Sequence, residues 1–453
     1  MVGLQKERLK TESYVKTFVF DKFQLLGNGE NNALYALGSK NCGCINGILQ
    51  CGACYDNLFK KEYGDDLYYG NSRIFQAGYL EKKLNNSNKR TIIILQENNK
   101  IALFNFNTYR FVDVYAFKET VKMLQFTDKN LDIHTLFYGE KGVYEFTIEG
   151  GPVLQNNENV KSACVLLDRV FYGYQGGRIV FTAPGEVFKY SNTTDDSGEL
   201  YLGTEYGEIV KMIALDDSVY IFFENAIQRL RVAGSARDFV LERLDYAGET
   251  IVANSVVVKG RKIYFLSKNN GFCLQESGIR KLENMPEGLF VYEKVKHVVA
   301  YQDCLIFYGE DLSTWTKYFV VQDDGQAYEV FNLNGFAVLE NRVCISTSGM
   351  FLSFNLHSGD MPSKESYWFT SRWMDFGNPE KKIVKKLTFE GEGQVTVTLN
   401  SEGGNRTYTL DFTNGAVSIE PLLKIANLQF HFVLSKKAKL KNVRAQIEFL
   451  KRR

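Results

Sequence analysis

Short apolar runs recur along the chain from about residue 90 to 360, each followed by a turn and a second, alternating run. Runs of aromatic and β-branched residues with this spacing are typical of β-hairpins. The turns contain residues that tolerate a positive φ angle, as in Glu140-Lys141-Gly142 and Asn269-Asn270-Gly271. The apolar runs begin at Ile93, Leu136, Val170, Val219, Ile263, Leu305 and Val343.

The distances between these starting points are 43, 34, 49, 44, 42 and 38 residues. Their mean of about 42 falls in the range that propeller blades occupy. A single hairpin unit cannot bury both faces of its sheet, whereas a ring of units can. The pattern therefore predicts an all-β protein with a β-propeller of about seven short blades over residues 61–362. A stack of β-sandwiches is the alternative, because it also gives short strands at regular spacing.

The period ends near Pro362, and strictly alternating segments follow at 394–399, 406–411, 428–433 and 443–449. Strict alternation indicates strands with one buried and one wet face. Residues 363–453 are therefore predicted to form a C-terminal antiparallel β-sandwich. Residues 1–60 alternate little and are rich in Gly and Asn around four cysteines, and we expect an irregular N-terminal arm that serves as an attachment segment.

The charge balance and the lengths of the apolar runs exclude some classes of function. The 453 residues carry 54 basic and 53 acidic side chains, so the chain has no overall basic excess of the kind that nucleic-acid binding requires. No apolar run approaches the roughly 20 residues of a membrane-spanning helix. The charged start, Met1–Glu7, lacks the apolar core of a secretory signal. We therefore expect synthesis in the cytoplasm and no membrane insertion.

Four cysteines form the sharpest local motif, at Cys42, Cys44, Cys51 and Cys54. Four thiolates at such short spacing can hold one tetrahedral zinc ion, with neighbouring glycines letting the backbone wrap it. The Cys42/Cys44 half is a poorer zinc knuckle than two cysteines separated by two residues. Whether the four cysteines hold a structural zinc ion is therefore left open, and we otherwise expect no cofactor.

Catalytic motifs are not found in the sequence. His134, His297, His357 and His431 are far apart, and none lies in a metal-ligand spacing or beside a nucleophile motif. A triad assembled only in space stays open, but we do not expect an enzyme.

The C-terminal region is basic, with 15 basic against 9 acidic residues over 365–453. A contact with phosphate or an acidic partner is one interpretation, and packaged DNA would be one such partner. The wet face of an edge strand, kept from aggregating by its lysines, is the other. The residues concerned are Lys436, Lys437, Lys439, Lys441, Lys451, Arg452 and Arg453.

Three segments carry a resemblance to a known family. The first runs from Arg178–Ser191 (RIVFTAPGEVFKYS) through Gly198–Thr204 and Gly207–Phe222 to Phe223–Leu230 (FENAIQRL). The second is Asn41–Tyr55 and the third Phe369–Gly377, which ends in Asp-Phe-Gly. Together they resemble the central blade, the opening and the propeller-to-sandwich junction of tailed-bacteriophage virion proteins of the tail-nozzle and neck type.

The resemblance implies a non-enzymatic virion protein of the phage tail or neck, located in the assembled particle. It further implies a homo-oligomeric ring that contacts other tail or neck proteins, as a head-to-tail or nozzle component. It also accounts for Cys42 and the nearby glycines without a metal. Tyr190 stands where the family often has Trp, so the position along the tail stays open. The competing interpretation is a propeller that recognises a cell-surface carbohydrate or receptor through aromatic loops such as Tyr367-Trp368-Phe369.

Overall fold

The computed structural model describes most of the chain. The described residues are 12–24, 33–40, 42–45, 48–51, 54–56, 58–70, 72–84, 87–188, 190, 196–203, 205–246, 248–282, 291–302, 304–310, 316–322, 327–330, 333–340, 342–347, 349–355, 367–413, 415–435 and 438–451. They divide into two compact units: one of 57–325 and 332–354, and one of 1–56, 326–331 and 355–453.

The first unit is a β-propeller, as predicted. Five of its blades are antiparallel four-stranded sheets, and two more contribute three strands each within this unit. We number the blades 1 to 7 in chain order. Blade 1 contains β7 (Ile74–Leu84), β8 (Ser87–Gln96), β9 (Lys100–Asn105) and β10 (Arg110–Ala116); blade 2 contains β11 (Val121–Thr127), β12 (Ile133–Gly139), β13 (Gly142–Thr147) and β14 (Gly151–Asn156); blade 3 contains β15 (Val160–Leu166), β16 (Arg169–Tyr174), β17 (Arg178–Phe181) and β18 (Gly198–Tyr201).

The remaining blades follow the same order of strands. Blade 4 contains β19 (Ile209–Leu215), β20 (Ser218–Phe223), β21 (Ile227–Arg231) and β22 (Val240–Leu244); blade 5 contains β23 (Val257–Lys259), β24 (Lys262–Leu266), β25 (Gly271–Gln275) and β26 (Gly278–Lys281); blade 6 contains β27 (His297–Tyr301), β28 (Cys304–Glu310) and β29 (Thr316–Gln322); blade 7 contains β31 (Phe336–Leu339), β32 (Arg342–Thr347) and β33 (Met350–Asn355). The first strand of each blade contacts the first strands of its two neighbours, so these seven strands form the inner ring.

The second strand of each blade explains the continuous apolar runs in the sequence. In β8, Ile92 and Ile94 pack toward blade 7, whereas Ile93 and Leu95 pack toward blade 2. Both faces of such a strand are buried, so neither face has room for a polar residue. The same alternation occurs in blade 4, where Ile221 faces blade 3 and its neighbours on β20 face blade 5.

The ring closes between blades 7 and 1. Ile74 at the start of β7 bridges Gly335, and its amide donates to the Asn334 carbonyl over 3.0 Å. Gly335 has a φ of +98°, and a Cβ there would lie 2.3 Å from the Ile74 nitrogen. Only glycine fits both the left-handed backbone and this close approach. Before β7, a six-residue helix α1 (Leu58–Tyr63) packs Phe59 on Phe351 of blade 7, with ring centroids 4.9 Å apart.

The second unit is a β-sandwich, as predicted, and its strand pairs are antiparallel except that the strands at Lys22–Gln24 and Ala33–Lys40 pair in parallel. Its strands are β1 (Glu12–Phe20), β2 (Lys22–Gln24), β3 (Ala33–Lys40), β4 (Cys42–Ile45), β5 (Ile48–Cys51), β34 (Tyr367–Ser371), β35 (Lys382–Glu392), β36 (Gln394–Ser401), β37 (Gly404–Asp411), β38 (Ala416–Ile419), β39 (Leu423–Ile425), β40 (Gln429–Leu434) and β41 (Lys439–Lys451). Two short strands, β6 (Cys54–Asp56) and β30 (Ala327–Val330), also lie in this unit. One sheet has the strand order β38-β35-β41-β5-β4, with β1 paired to β41 and β39 paired to β35. The other sheet has the strand order β2-β3-β34-β40-β36-β37. Phe389 of one sheet meets Phe430 and Phe432 of the other, with centroids 6.2–6.3 Å apart.

The N-terminal segment differs from the expectation of an irregular arm over 1–60. Strand β1 pairs along its whole length with β41, from Glu12 opposite Lys451 to Phe20 opposite Val443. Strands β2 to β5 join the two sheets of the same sandwich. Strand β2 pairs with β3, and β4 with β5, within the segment itself. The pairs that tie the segment to the sandwich, β1 and β5 with β41 and β3 with β34, join strands more than 300 residues apart, so no local pattern could reveal them. No helix in the described part of the chain is long and apolar enough to span a bilayer.

Replacing Gly335 by alanine should open the ring. The added Cβ meets the Ile74 backbone and the φ of +98° is unfavourable, so we expect a loss of about 3 kcal/mol or more in unfolding free energy. Gly260→Ala is the matched control, because Gly260 has a φ of +58° and open space around its Cβ position, and it should lose only about 1–2 kcal/mol. Urea denaturation measures both, and equal losses would contradict the role of Gly335 in closure.

A buried arginine ties blade 3 to blade 4. Arg169 is buried, donates to the Thr182 carbonyl over 2.9 Å and pairs with Asp196. Asp196 also accepts from the Ala236 amide over 2.7 Å and the Ser235 hydroxyl over 3.0 Å, both in blade 4. Burial acts to raise the pKa of Asp196, but the hydrogen bonds from Ala236, Ser235 and Arg169 outweigh it, and the net shift is downward.

Asp196→Asn should therefore weaken the fold near neutral pH. Because the pKa of Asp196 is lower in the folded protein, its stabilisation is present above the unfolded pKa of about 3.9 and is lost as pH falls through the folded value. We expect a loss of about 1–3 kcal/mol at pH 7 that shrinks below about pH 4. Glu293→Ala, which breaks an exposed pair with Lys268, is the control and should change little. A loss that does not depend on pH would contradict this interpretation.

Candidate functional site

A cavity of about 150 Å³ lies in the propeller where four inner strands begin. Ile74 and Phe75 of β7, Val121 of β11, His297 of β27 and Phe336 of β31 line it. These residues come from blades 1, 2, 6 and 7, so the cavity exists only because the ring closes. Sequence reasoning had no signal for it, since its lining is drawn from positions up to 260 residues apart.

One side of the cavity is polar. Arg73 pairs with Glu97 at 3.1 Å and donates to the Tyr308 hydroxyl. The Tyr308 ring stacks on Tyr318 with centroids 4.8 Å apart. Burial, and then the neighbouring Glu97, raises the pKa of Tyr308 to about 12, so its hydroxyl stays protonated and available for hydrogen bonding. Lys296 completes this side and pairs with Glu310 at 3.8 Å.

His297 occupies the other side, between two aromatic rings. Its ring lies 4.9 Å from that of Phe75 and stacks on Phe336 at 5.1 Å. Burial, and then the positive charge of Lys211, lowers the pKa of His297 to about 3, so the ring is neutral near pH 7. Its Nε2 atom is buried and lacks a hydrogen-bond partner in the described structure. The cavity thus combines aromatic walls with a polar side formed by Arg73, Tyr308 and Lys296, an arrangement that suits the binding of a small molecule.

A second histidine lies between two carboxylates in blade 2. His134 Nδ1 is 2.6 Å from Glu145 Oε1, and Nε2 is 3.5 Å from Asp128 Oδ2. The sequence predicts the hairpin around Glu140-Lys141-Gly142 but does not single out this cluster, because the strand register that brings His134 to Glu145 is seen only in the fold. Asp128 also accepts the amides of Asn130 and Asp132 at 2.9 and 2.8 Å, as expected of a turn-stabilising residue. His431 contacts Thr370 Oγ1 at 2.7 Å in the sandwich, and His357 lies outside the described residues.

The four cysteines are partly brought together. Strands β4 and β5 form a hairpin in which Cys42 lies opposite Cys51, and Cys44 lies opposite Leu49. Cys42 and Cys44 are buried. The side chains of Cys51 and Cys54 lie outside the described part of the structure. Among the groups that are described, no cluster of three or more His, Cys, Asp or Glu side chains could hold a metal. The zinc hypothesis therefore stays a prediction.

The basic residues of the C-terminal region are described at two positions. Lys439 and Lys441 both pair with Glu392 on the neighbouring strand β35, at 3.7 and 2.7 Å. The hydrogen bond from Lys441, and then the charge of Lys439, lowers the pKa of Glu392. Lys436, Lys437, Arg452 and Arg453 lie outside the described residues, as does the side chain of Lys451. A phosphate or partner contact by this region stays a prediction.

Comparison with known proteins does not identify a family for this chain. No family model matches the chain, and no curated protein is significantly similar in sequence. Virginiamycin B lyase from Staphylococcus aureus is 12% identical, with 64% of this chain and 97% of that one covered and a TM-score of 0.43. BamB from Moraxella catarrhalis is 11% identical, with 63% and 84% covered and a TM-score of 0.39. The designed protein Ika8 is 11% identical, with 64% and 98% covered and a TM-score of 0.40.

Identities and TM-scores this low carry no inference about activity, although one of these neighbours is an enzyme. The propeller assignment is made from the seven sheets and their closed inner ring in this structure.

Metal analysis of the purified protein tests the cysteine cluster. Because Cys42 and Cys44 are buried in a regular hairpin, we expect them to act as core residues and the protein to contain no stoichiometric zinc. Inductively coupled plasma mass spectrometry of protein purified without chelators measures this. One zinc per chain, lost in Cys42→Ser and retained in the control Cys273→Ser, would contradict it.

Proposed function

We propose that this protein is a non-enzymatic structural component of a tailed-bacteriophage particle, located in the tail or neck and acting through oligomeric assembly. The proposal starts from the sequence resemblance in the central blade. It is supported by the structural roles of the residues that carry this resemblance and by the surface of the outer strands.

The motif residues of blade 3 hold blades together. Gly185 has a φ of +70°, its amide donates to the Asp168 carbonyl over 2.6 Å, and its carbonyl accepts from the Lys129 amide over 3.1 Å. Glu186 then pairs with the Lys129 ammonium at 2.6 Å. Lys129 belongs to blade 2, so the Gly-Glu pair of the motif joins two blades. These contacts stabilise the ring by joining parts of the protein itself, so the motif residues have a structural role that involves no substrate.

The observation that carries the assembly proposal is the apolar surface of the outer strands. In each of blades 1 to 4 the fourth strand lies at the end of its sheet and exposes large apolar side chains. An exposed strand edge with apolar side chains favours pairing or packing with another chain. The residues are Val112, Val114 and Tyr115 on β10, Val153 and Leu154 on β14, Tyr201 on β18, and Val240 and Leu241 on β22.

The carbohydrate-binding alternative finds less support. It relied on Tyr367-Trp368-Phe369, but Tyr367 and Phe369 are buried in the sandwich and Trp368 is half-buried beside His431. Side chains used for packing are not available to stack on a sugar ring. Assembly is therefore the function that the described surface supports best.

Two measurements test the proposal. Mass spectrometry of purified phage particles should find this chain in several copies, and a chain found only in the lysate would refute a virion role. Val112→Lys combined with Val114→Lys should weaken self-association at least 10-fold, because lysines on an edge strand oppose edge-to-edge contact. Leu131→Lys, which replaces an exposed leucine in a turn, is the control and should associate normally. Unchanged association of the double variant in sedimentation velocity would show that β10 is not the contact surface.

A further inference from the structure

Two lysines and a histidine stand on inner strands of the propeller ring. Lys122 is the second residue of β11 in blade 2, Lys211 the third residue of β19 in blade 4, and His297 the first residue of β27 in blade 6. The inner strands of a propeller run in the same direction around its axis. Residues near the start of each strand therefore lie toward the same end of the central channel.

Local backbone geometry supports this placement. The pairing of β19 with β20 shifts register between Ile209 and Lys211, so a bulge directly precedes the lysine. Bulges re-aim side chains and are frequent beside functional sites. The cavity described above brings together the starts of β7, β11, β27 and β31 and is lined by His297, whereas Lys122 and Lys211 are not among its lining residues.

These basic groups lack acidic partners. Neither Lys122 nor Lys211 makes a hydrogen bond or an ion pair with the described residues, and His297 Nε2 is a buried atom without a partner. Both lysine side chains are half-buried, so the cost of placing their charges there is not offset by the protein. Of the seven inner strands, only β7 contains an acidic residue, Glu81 near its far end.

The other charged groups around the channel do not compensate. Glu97 lines the cavity but is paired with Arg73, and Glu310 is paired with Lys296. The Cys164 thiol is close enough for the charge of Lys211 to act on it, but burial raises the pKa of this thiol to about 12, so it is neutral. Lys161, on the inner strand of blade 3, adds positive charge.

The positive charge of Lys211 acts on each of the other two groups. Burial, and then the charge of Lys211, lowers the pKa of Lys122 to about 8. Burial lowers the pKa of Lys211 as well, and the same Lys211 charge acts on His297. A bound anion would reverse this balance, because it favours the protonated form of each group.

We infer that the propeller channel is a binding site for a small tetrahedral dianion of the phosphate or sulfate class, held by Lys122 and Lys211 with His297 beside it. The inference rests on the inner-strand placement of these groups and on their lack of acidic partners, and it does not depend on the proposed virion role.

Sulfate is the first probe, because its charge does not change between pH 5 and 10, and inorganic phosphate is the second. Isothermal titration calorimetry of the full chain at constant ionic strength should show saturable binding of one anion. Binding should take up protons, about half a proton on Lys122 at pH 8, where its ammonium is about half titrated. Affinity for sulfate should fall as pH rises through 8. Comparison of two buffers with different ionisation enthalpies measures the uptake, and binding without uptake would overturn the inference.

Two variants separate a binding role from a structural one. Lys211→Met should weaken sulfate binding at least 10-fold and raise the thermal midpoint of the anion-free protein, because it removes an uncompensated charge. A lysine that merely stabilises the fold would lower that midpoint. Lys122→Met should behave in the same way, whereas Lys100→Met, which removes an exposed lysine paired with Asp113, should bind sulfate normally.

If neither methionine variant folds, the proton uptake of the unaltered chain still decides the question. Binding that survives in both methionine variants, or a sulfate effect no larger than that of sodium chloride at equal ionic strength, would overturn the inference.

Discussion

Closure of the blade ring is the constraint on which the propeller depends. Each blade buries its two faces against its neighbours, so an open ring would leave two apolar sheet faces in water. The closing contact leaves no room for a side chain, since the Gly335 backbone lies against that of Ile74. Around it, α1 and the segment before β7 bring Phe59 onto Phe351 and pair the Tyr69 amide with the Gly349 carbonyl over 2.7 Å. The close backbone approach at Gly335 thus permits the apolar cluster between blades 7 and 1, which includes Ile92, Ile94 and Phe351, to form.

Polar contacts set the order and spacing of the blades, while apolar burial supplies most of the stability. Among the polar contacts that join blades 2, 3 and 4, two involve charged groups of blade 3: Glu186 with Lys129, and Asp196 with Arg169 and Ser235. The first of these pairs is exposed and contributes little free energy. The second includes a buried guanidinium, so its loss leaves a charge without a partner. The polar contacts therefore specify which loops meet, and the burial of the second strands determines how strongly the blades hold together.

The repeat was predictable from the sequence because the second strand of each blade is buried on both faces. Ile92, Ile93, Ile94 and Leu95 read as one apolar run, and that run recurs wherever a blade recurs. The sandwich was predictable because its strands bury only one face, which produces a strict alternation of apolar and polar residues. The pairing of β1 with β41 was not, since the two strands are separated by almost the whole chain and each is consistent with many partners. The cavity and the channel lysines were not predictable either, because Lys122, Lys211 and His297 are single residues on three strands that only the closed ring brings together.

The inner ring also contains charged side chains that lack the polar partners found around the fully buried cations of the protein. The two fully buried cationic side chains in the described structure have partners: Arg169 has Asp196, and Lys382 in the sandwich donates to the Asn378 and Ala426 carbonyls over 2.6 Å each. The ammonium groups of Lys122 and Lys211 have none among the described residues, and the charge of Lys211 disfavours a charge on Lys122. A fold that satisfies its buried charges elsewhere and leaves these two unsatisfied carries a local cost in free energy. Such a cost is expected at a site that a ligand completes, because the energy returned on binding is then available for affinity.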